Sequence, residues 1–358
     1  MRVKPFAALR PPKNLVEQVA SPPYDVLDSA EALAIAGDKS LLHITKPEID
    51  FSPMLPDNDP KVYRKAIDNF AEWQKKGYLV RDSKPCYYVY AQTMGERTQY
   101  GFVLCAHCDD YAKGLIKKHE LTRKDKEDDR MVHVNIQSAN IEPVFFAFRT
   151  QSELEDILYK TASSEPEYDF TDENGFGHKF WVISDDALIE RITELFSDRV
   201  DAFYIADGHH RSAAAARVGE ERAAANPSHR GDEEYNYFMA VCFPDDQLKV
   251  LDYNRVVKDL NGLMPSQIIG MLGEHFDIMC QGESVYAPSE LHTFSMYLEG
   301  KWYELKARPD TYHGADLVES LDVSILSKYV LDEILGIKDL RRDPRIVGIS
   351  TKQSFPSR

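Results

Sequence analysis

Apolar positions along this chain follow two periods. Over 59–80, "DPKVYRKAIDNFAEWQKKGYLV", Val62, Ala66, Phe70 and Trp73 recur three or four residues apart, and Lys and Arg fill much of the rest. That spacing predicts an amphipathic helix. Further helices are expected in "SELEDILYKTA" (152–162), "DDALIERITELFS" (185–197, capped by Asp185), "SQIIGMLGEHFDIM" (266–279) and "SLDVSILSKYVLDEILGI" (320–337). A short helix that Ser29 could cap follows the Pro-rich turn of "SPPYDVLDSAEALAIAG".

Runs of β-formers flank polar turns in "PCYYVYAQTMGERTQYGFVLCA" (85–106), "YDFTDENGFGHKFWVIS" (168–184) and "LHTFSMYLEGKWYELKA" (291–307), and each reads as a hairpin. Single strands are expected in "NIEPVFFAFR" (140–149), "AFYIA" (202–206), "YNYFMAVCF" (235–243) and "LKVLDYNRVV" (248–257). Helices and strands interleave without a steady βαβ alternation. The expected class is therefore α+β (mixed α/β) rather than a doubly wound parallel sheet. The expected division is an N-terminal α/β lobe over 1–100, a core over 101–260 and a C-terminal α+β region over 261–358.

Composition narrows the function classes. The 358 residues suit two lobes or one elaborated domain, and 43% apolar with 11% aromatic residues can build a real core. The formal net charge of −16 opposes a broad basic face for nucleic acid, but leaves room for a local phosphate pocket. No run reaches eighteen apolar residues and the N-terminus lacks a long apolar segment, so a cytoplasmic chain with no membrane partner is expected. The five cysteines make a poor disulfide framework, and "CAHC" (105–108) has no second ligand pair for zinc, so it reads as structural.

The chemistry concentrates in "FYIADGHHRSAAAARVGEE" (203–221). A strand delivers the chain to Gly208, which permits a tight turn, and the run Ala213–Ala216 favours helix. Backbone N–H groups and the positive dipole end therefore face outward at this turn, a natural anion site. His209, His210 and Arg211 add donors, and Arg211 can bind phosphate in bidentate fashion. Asp207 could orient an imidazole or hold a metal; it could equally be an ordinary N-cap beside satisfied histidines. The second cluster is "KKHELTRKDKEDDR" (117–130). His119-Glu120 begins like a zinc-protease motif, but Arg123 stands where its second histidine belongs. Glu120 is a candidate general base and Arg123, Lys124 and Arg130 are candidate anion ligands, against the alternative of a solvated charged face. Tyr24, Asp25, His43, Asn254 and Arg255 sit beside apolar runs and read first as structural.

Six separated segments, "PFAALRP", "SPPYDV", "KKHELTRKDKEDDR", "NIEPVF", "IADGHHRSAAA" and "LDYNRVVKDLNG", together resemble a bacterial and archaeal family catalogued as domain of unknown function 1015, over about residues 1–346. The Asp207–Arg211 turn entering a helix is also similar to the phosphate-binding turn of the ParB/sulfiredoxin-like fold, whose free L-serine kinases carry an upstream "HE-T" segment. Here that segment looks like His119, Glu120, Leu121 and Thr122. The resemblance implies a ParB/sulfiredoxin-like core, elaborated by the N-terminal lobe and by an insertion at about 140–200. It implies Glu120 as base on the serine hydroxyl with His119 beside it, and Gly208, His209, His210, Arg211 and Ser212 as holders of ATP or ADP phosphates. Asp207 would assist through Mg²⁺, and Thr122, Arg123, Arg130, Asn254 and Arg255 would bind serine or phosphoserine. Two other readings stay open: a regulatory protein that senses a nucleotide without chemistry, and a phosphoserine phosphatase that needs no nucleotide. Relatives continue past "DPRI" with a glycine-rich segment, whereas this chain reads "DPRIVGISTKQSFPSR", so truncation relative to the family is expected.

Overall fold

The computed structural model describes residues 1–350 except Glu120, Leu121, Arg123, Ala315, Leu317, Arg341 and Arg342. It is α+β, and divides into two compact units, Met1–Lys249 and Val250–Arg358.

The first unit is organised by a nine-stranded mixed sheet. Its strands are β1 (Val3–Lys4), β2 (Tyr87–Met94), β3 (Arg97–His107), β4 (Ile116–Lys117), β5 (Val144–Phe148), β6 (Tyr168–Thr171), β7 (Gly177–Ile183), β8 (Phe203–Asp207) and β9 (Tyr237–Pro244). The spatial order is β4-β8-β5-β9-β3-β2-β7-β6, with β1 on β3. The pairs β4/β8 and β5/β9 are parallel and the others antiparallel. Strand alternation sorts side chains to two faces. Tyr87, Val89, Phe102, Leu104, Phe146 and Phe203 enter one core with Leu154, Leu158, Ile192 and Phe196. Tyr88, Val103, Val241 and Phe243 enter a second with Ala8 and Phe180.

Five longer helices accompany this sheet: α1 (Pro60–Lys75), α2 (Lys124–Gln137), α3 (Ser152–Ala162), α4 (Asp186–Arg199) and α5 (His209–Ala225). In α1, Val62, Ala66 and Trp73 are buried as the spacing predicts, and Asp185 caps α4 by accepting from the Leu188 N–H at 2.9 Å. Helix α5 packs against α2 through Ala214, Val218 and Met131.

Several expectations change. Asp28, not Ser29, caps the helix Ser29–Ile35: it exchanges a capping box with Glu31, and the Ser29 hydroxyl donates instead to Glu48 at 2.7 Å. The division placed at 100/101 falls inside β3, whose ladder with β2 ties both sides together. The later one, placed at 260/261, falls at 249/250.

The second unit holds the antiparallel three-stranded sheet of Phe276–Gly282, Lys301–Ala307 and Thr293–Leu298, and a ladder between Tyr253–Val257 and Ile346–Ser350. The helix expected over 266–279 is Pro265–Leu272 only; Gly273 closes it and the alternating residues after it become strand. The strand expected over 248–257 is confined to Tyr253–Val257. The hairpin expected over 291–307 stands and turns at Glu299-Gly300, with φ of +50° and +80°. Among the described residues, no helix is long and apolar enough to cross a membrane.

Candidate functional site

Strand β8 ends on Asp207, Gly208 takes φ +88° and ψ +35°, and α5 begins at His209. A side chain on Gly208 would be strained by that φ and would stand 3.2 Å from Val144 Cγ1. Gly208, not Asp207, is the N-cap residue, and no side chain caps the helix. The Asp207 carboxylate turns the other way and accepts from Arg211 Nη2 at 2.6 Å.

Arg211 is heavily partnered. Its Nη1 donates to the Pro143 carbonyl at 2.7 Å, its Nη2 lies 3.4 Å from Asp25 Oδ2, and Glu142 Oε2 stands 3.9 Å from Nη1. The side chain is only 11% exposed. Burial works against its charge, and the carboxylates of Asp25, Glu142 and Asp207 outweigh burial, holding its pKa above the ordinary value. In this arrangement Arg211 is taken up by acids of the chain itself, so an incoming phosphate has to exchange with them. Behind it Ser212 is fully buried, and its Oγ has no hydrogen-bond partner among the described residues. His209 is buried and His210 half-buried in the first turn.

The upstream motif reaches the same place. The exposed His119 ring stands edge-on to His209, with centroids 4.3 Å apart. Glu120 and Arg123, the expected base and one expected anion ligand, lie outside the described residues. Thr122 donates its hydroxyl to Glu127. Glu127 and Asp128 both accept from Arg217 Nη1 at 3.0 Å, and Arg222 Nη2 donates to the Asn135 carbonyl at 3.0 Å. These bonds join α2 to α5, so the two charged motifs meet because the helices that follow them pack together.

Arg130 lies on α2, 14% exposed. Its Nε donates to Asp129 Oδ2 at 2.9 Å, and its guanidinium carbon lies 4.0 Å from the centre of the Tyr24 ring. Asp129 accepts in turn from the Tyr63 hydroxyl at 2.7 Å. Arg130, Glu142 and Arg211 line a cavity of about 50 Å³ together with Tyr24, His133 and Gln137, and Val144, Phe238 and Met239 add apolar lining. Burial pushes the Glu142 carboxyl up to about 7, against the pull of Arg211 and of the Tyr24 N–H that it accepts at 3.0 Å. Burial, then Arg130, pushes His133 down to about 4. Burial also raises the Tyr24 hydroxyl to about 12.

Asn254 and Arg255 belong to the second unit, where they pair with Ile349 and Gly348. No group of three or more His, Cys, Asp or Glu among the described residues could hold a metal ion. Among the described residues, Asp207 is drawn to Arg211 and gathers no magnesium site around it. The thiols of Cys105 and Cys108 are buried and pushed up to about 12 by burial, which suits packing rather than redox work.

Glu142 was legible only as a letter of "NIEPVF", read as strand; the structure places it just before β5, facing Arg211. His133 carried no spacing signal, although it follows Arg130 by one helical step.

The family model described as "Protein of unknown function (DUF1015)" matches residues 3–324. The chain belongs to the DUF1015 family. Comparison with the curated proteins and with the solved structures gave no match. The DUF1015 match spans both clusters of the site, and 3–324 also takes in Asn254 and Arg255.

Proposed function

We propose that this DUF1015 chain is a phosphotransferase that interconverts free L-serine and O-phosphoserine with ATP or ADP. The observation that supports the reading is the His119–His209 contact at 4.3 Å, which sets the segment of the candidate base beside the candidate phosphate turn. Around that contact the ParB/sulfiredoxin-like resemblance supplies the roles. The first turn of α5 presents backbone N–H groups, His209 and His210 to the nucleotide phosphates. In the forward direction the serine hydroxyl oxygen attacks the γ-phosphorus. A new O–P bond forms, the bridging P–O bond breaks, ADP leaves, and the hydroxyl proton passes to the Glu120 carboxylate. Such a reaction asks for positioning and charge more than for covalent work by the protein.

Phosphorus NMR of the chain with ATP and serine, and separately with ADP and phosphoserine, tests this. Turnover of either pair is expected, and Glu120→Gln should abolish it while nucleotide still binds. No turnover with either pair overturns the reading. Nucleotide binding without product replaces it with a sensor, and phosphate release without nucleotide replaces it with a phosphatase.

A further inference from the structure

The cavity behind Arg211 is lined by groups of opposite charge that face one small space. Arg130 comes from α2, and Glu142 from the segment before β5. A simple anion placed there would meet Glu142, and a simple cation would meet Arg130. A ligand carrying both charges answers both. Size narrows the class further. At roughly 10–15 Å³ per water position, about 50 Å³ holds some four waters, about the bulk of a short amino acid.

We propose that this cavity is a seat for a small zwitterionic α-amino acid, with Arg130 taking the carboxylate and Glu142 the ammonium. The inference deepens the phosphotransfer reading and rests on it for the choice of serine as probe. Tyr24 fixes both ends: its ring covers the Arg130 guanidinium and its backbone N–H holds one Glu142 oxygen, so the two charges keep their separation. The other Glu142 oxygen stands 3.9 Å from Arg211, near enough for attraction and too far for a hydrogen bond. The charged and titratable groups acting on Glu142 are Arg211, Asp25 and Arg130. An ammonium added to this set stabilises the carboxylate, so binding near neutral pH should release a proton.

Calorimetry on the full chain, with and without ADP, tests the seat against L-serine, ethanolamine (no carboxylate) and 3-hydroxypropionate (no ammonium). L-serine should bind at least about 30-fold more tightly than either analogue, since each analogue forgoes one of the two charge-assisted contacts. Its binding heat at pH 6.5 should change with the ionisation enthalpy of the buffer. Either analogue binding within about threefold of serine, or no serine binding in either condition, overturns the proposal. Glu142→Gln should weaken serine about 30-fold and leave 3-hydroxypropionate bound no more weakly than before; unchanged serine affinity overturns it. The wild-type series needs no variant to fold. Serine discrimination without phosphotransfer removes only the activity, and phosphotransfer with an unaltered serine KM in Glu142→Gln removes only the seat.

Discussion

The His119 ring meets His209 edge-on at a centroid distance of 4.3 Å, although ninety positions of sequence separate the two. His119 is exposed and His209 buried, so the contact runs from the surface to the interior. His119→Ala should cost less than about 1 kcal/mol of stability, as exposed substitutions do, while lowering phosphotransfer at least about tenfold. Urea denaturation and the phosphorus assay on one preparation read both.

Arg211 should be replaceable by no other cation. Arg211→Lys forfeits the fork that serves Asp207 and Pro143 together and leaves Glu142 and Asp25 poorly answered. A loss of about 3 kcal/mol is expected by urea denaturation, the cost of breaking a largely buried pair on one side. A loss under about 1 kcal/mol would mean the acids relax into solvent.

Two glycines in helices should respond with opposite signs. On α5, a Cβ at Gly219 would stand 2.7 Å from the Tyr235 carbonyl oxygen and 2.9 Å from Cys108 Sγ. Gly219→Ala should therefore destabilise by about 2 kcal/mol. At exposed Gly270, in the helix Pro265–Leu272, a Cβ meets nothing within 4 Å, and Gly270→Ala should stabilise by about 0.5–1 kcal/mol. Melting curves of the two variants beside wild type decide it.

Stability should carry two opposed pH slopes. Glu142 titrates near 7 in the folded chain and near 4.5 unfolded, so between those values the folded state holds the extra proton and stability falls as pH rises. His133 titrates near 4 folded and near 6.5 unfolded, so the unfolded state holds the extra proton and stability rises with pH. His133 is faced by Arg130, Asp129 and the Tyr63 ring. From pH 4.5 to 6.5 the two contributions cancel, each at most about 1.4 kcal/mol per pH unit. Relative to wild type, Glu142→Gln should gain stability as pH rises through that window, and His133→Asn should lose it. Urea midpoints at several pH values show the signs.

Much of this architecture was legible because its signals are local. The 3.6-residue stripe of α1, the Asp185 cap and the Glu299-Gly300 turn depend on neighbours in sequence and stand as read. The turn into α5 was legible for the same reason: Gly208 is needed for the φ that starts the helix. What escaped was the company each group keeps. Asp207 satisfied the rule for an N-cap, yet its carboxylate is worth more to buried Arg211. Glu142 and Tyr24 are 118 positions apart, and no periodicity reports a backbone N–H meeting a carboxylate at that range. The break at Gly273 was missed because "EHFDIM" fits a helix and a strand equally well until the partner strand Lys301–Ala307 decides.

Strand β9 is the last of the nine to leave the ribosome, yet it lies between β5 and β3 in the middle of the sheet. Until residues 237–244 exist, β3 and β5 each keep an open edge, and the wall carrying Phe238 and Met239 is missing from the cavity. A nascent or prematurely ended chain therefore holds two unpaired edges that invite pairing with other chains. The unit matures late and together, and the sheet closes at its centre rather than at its rim.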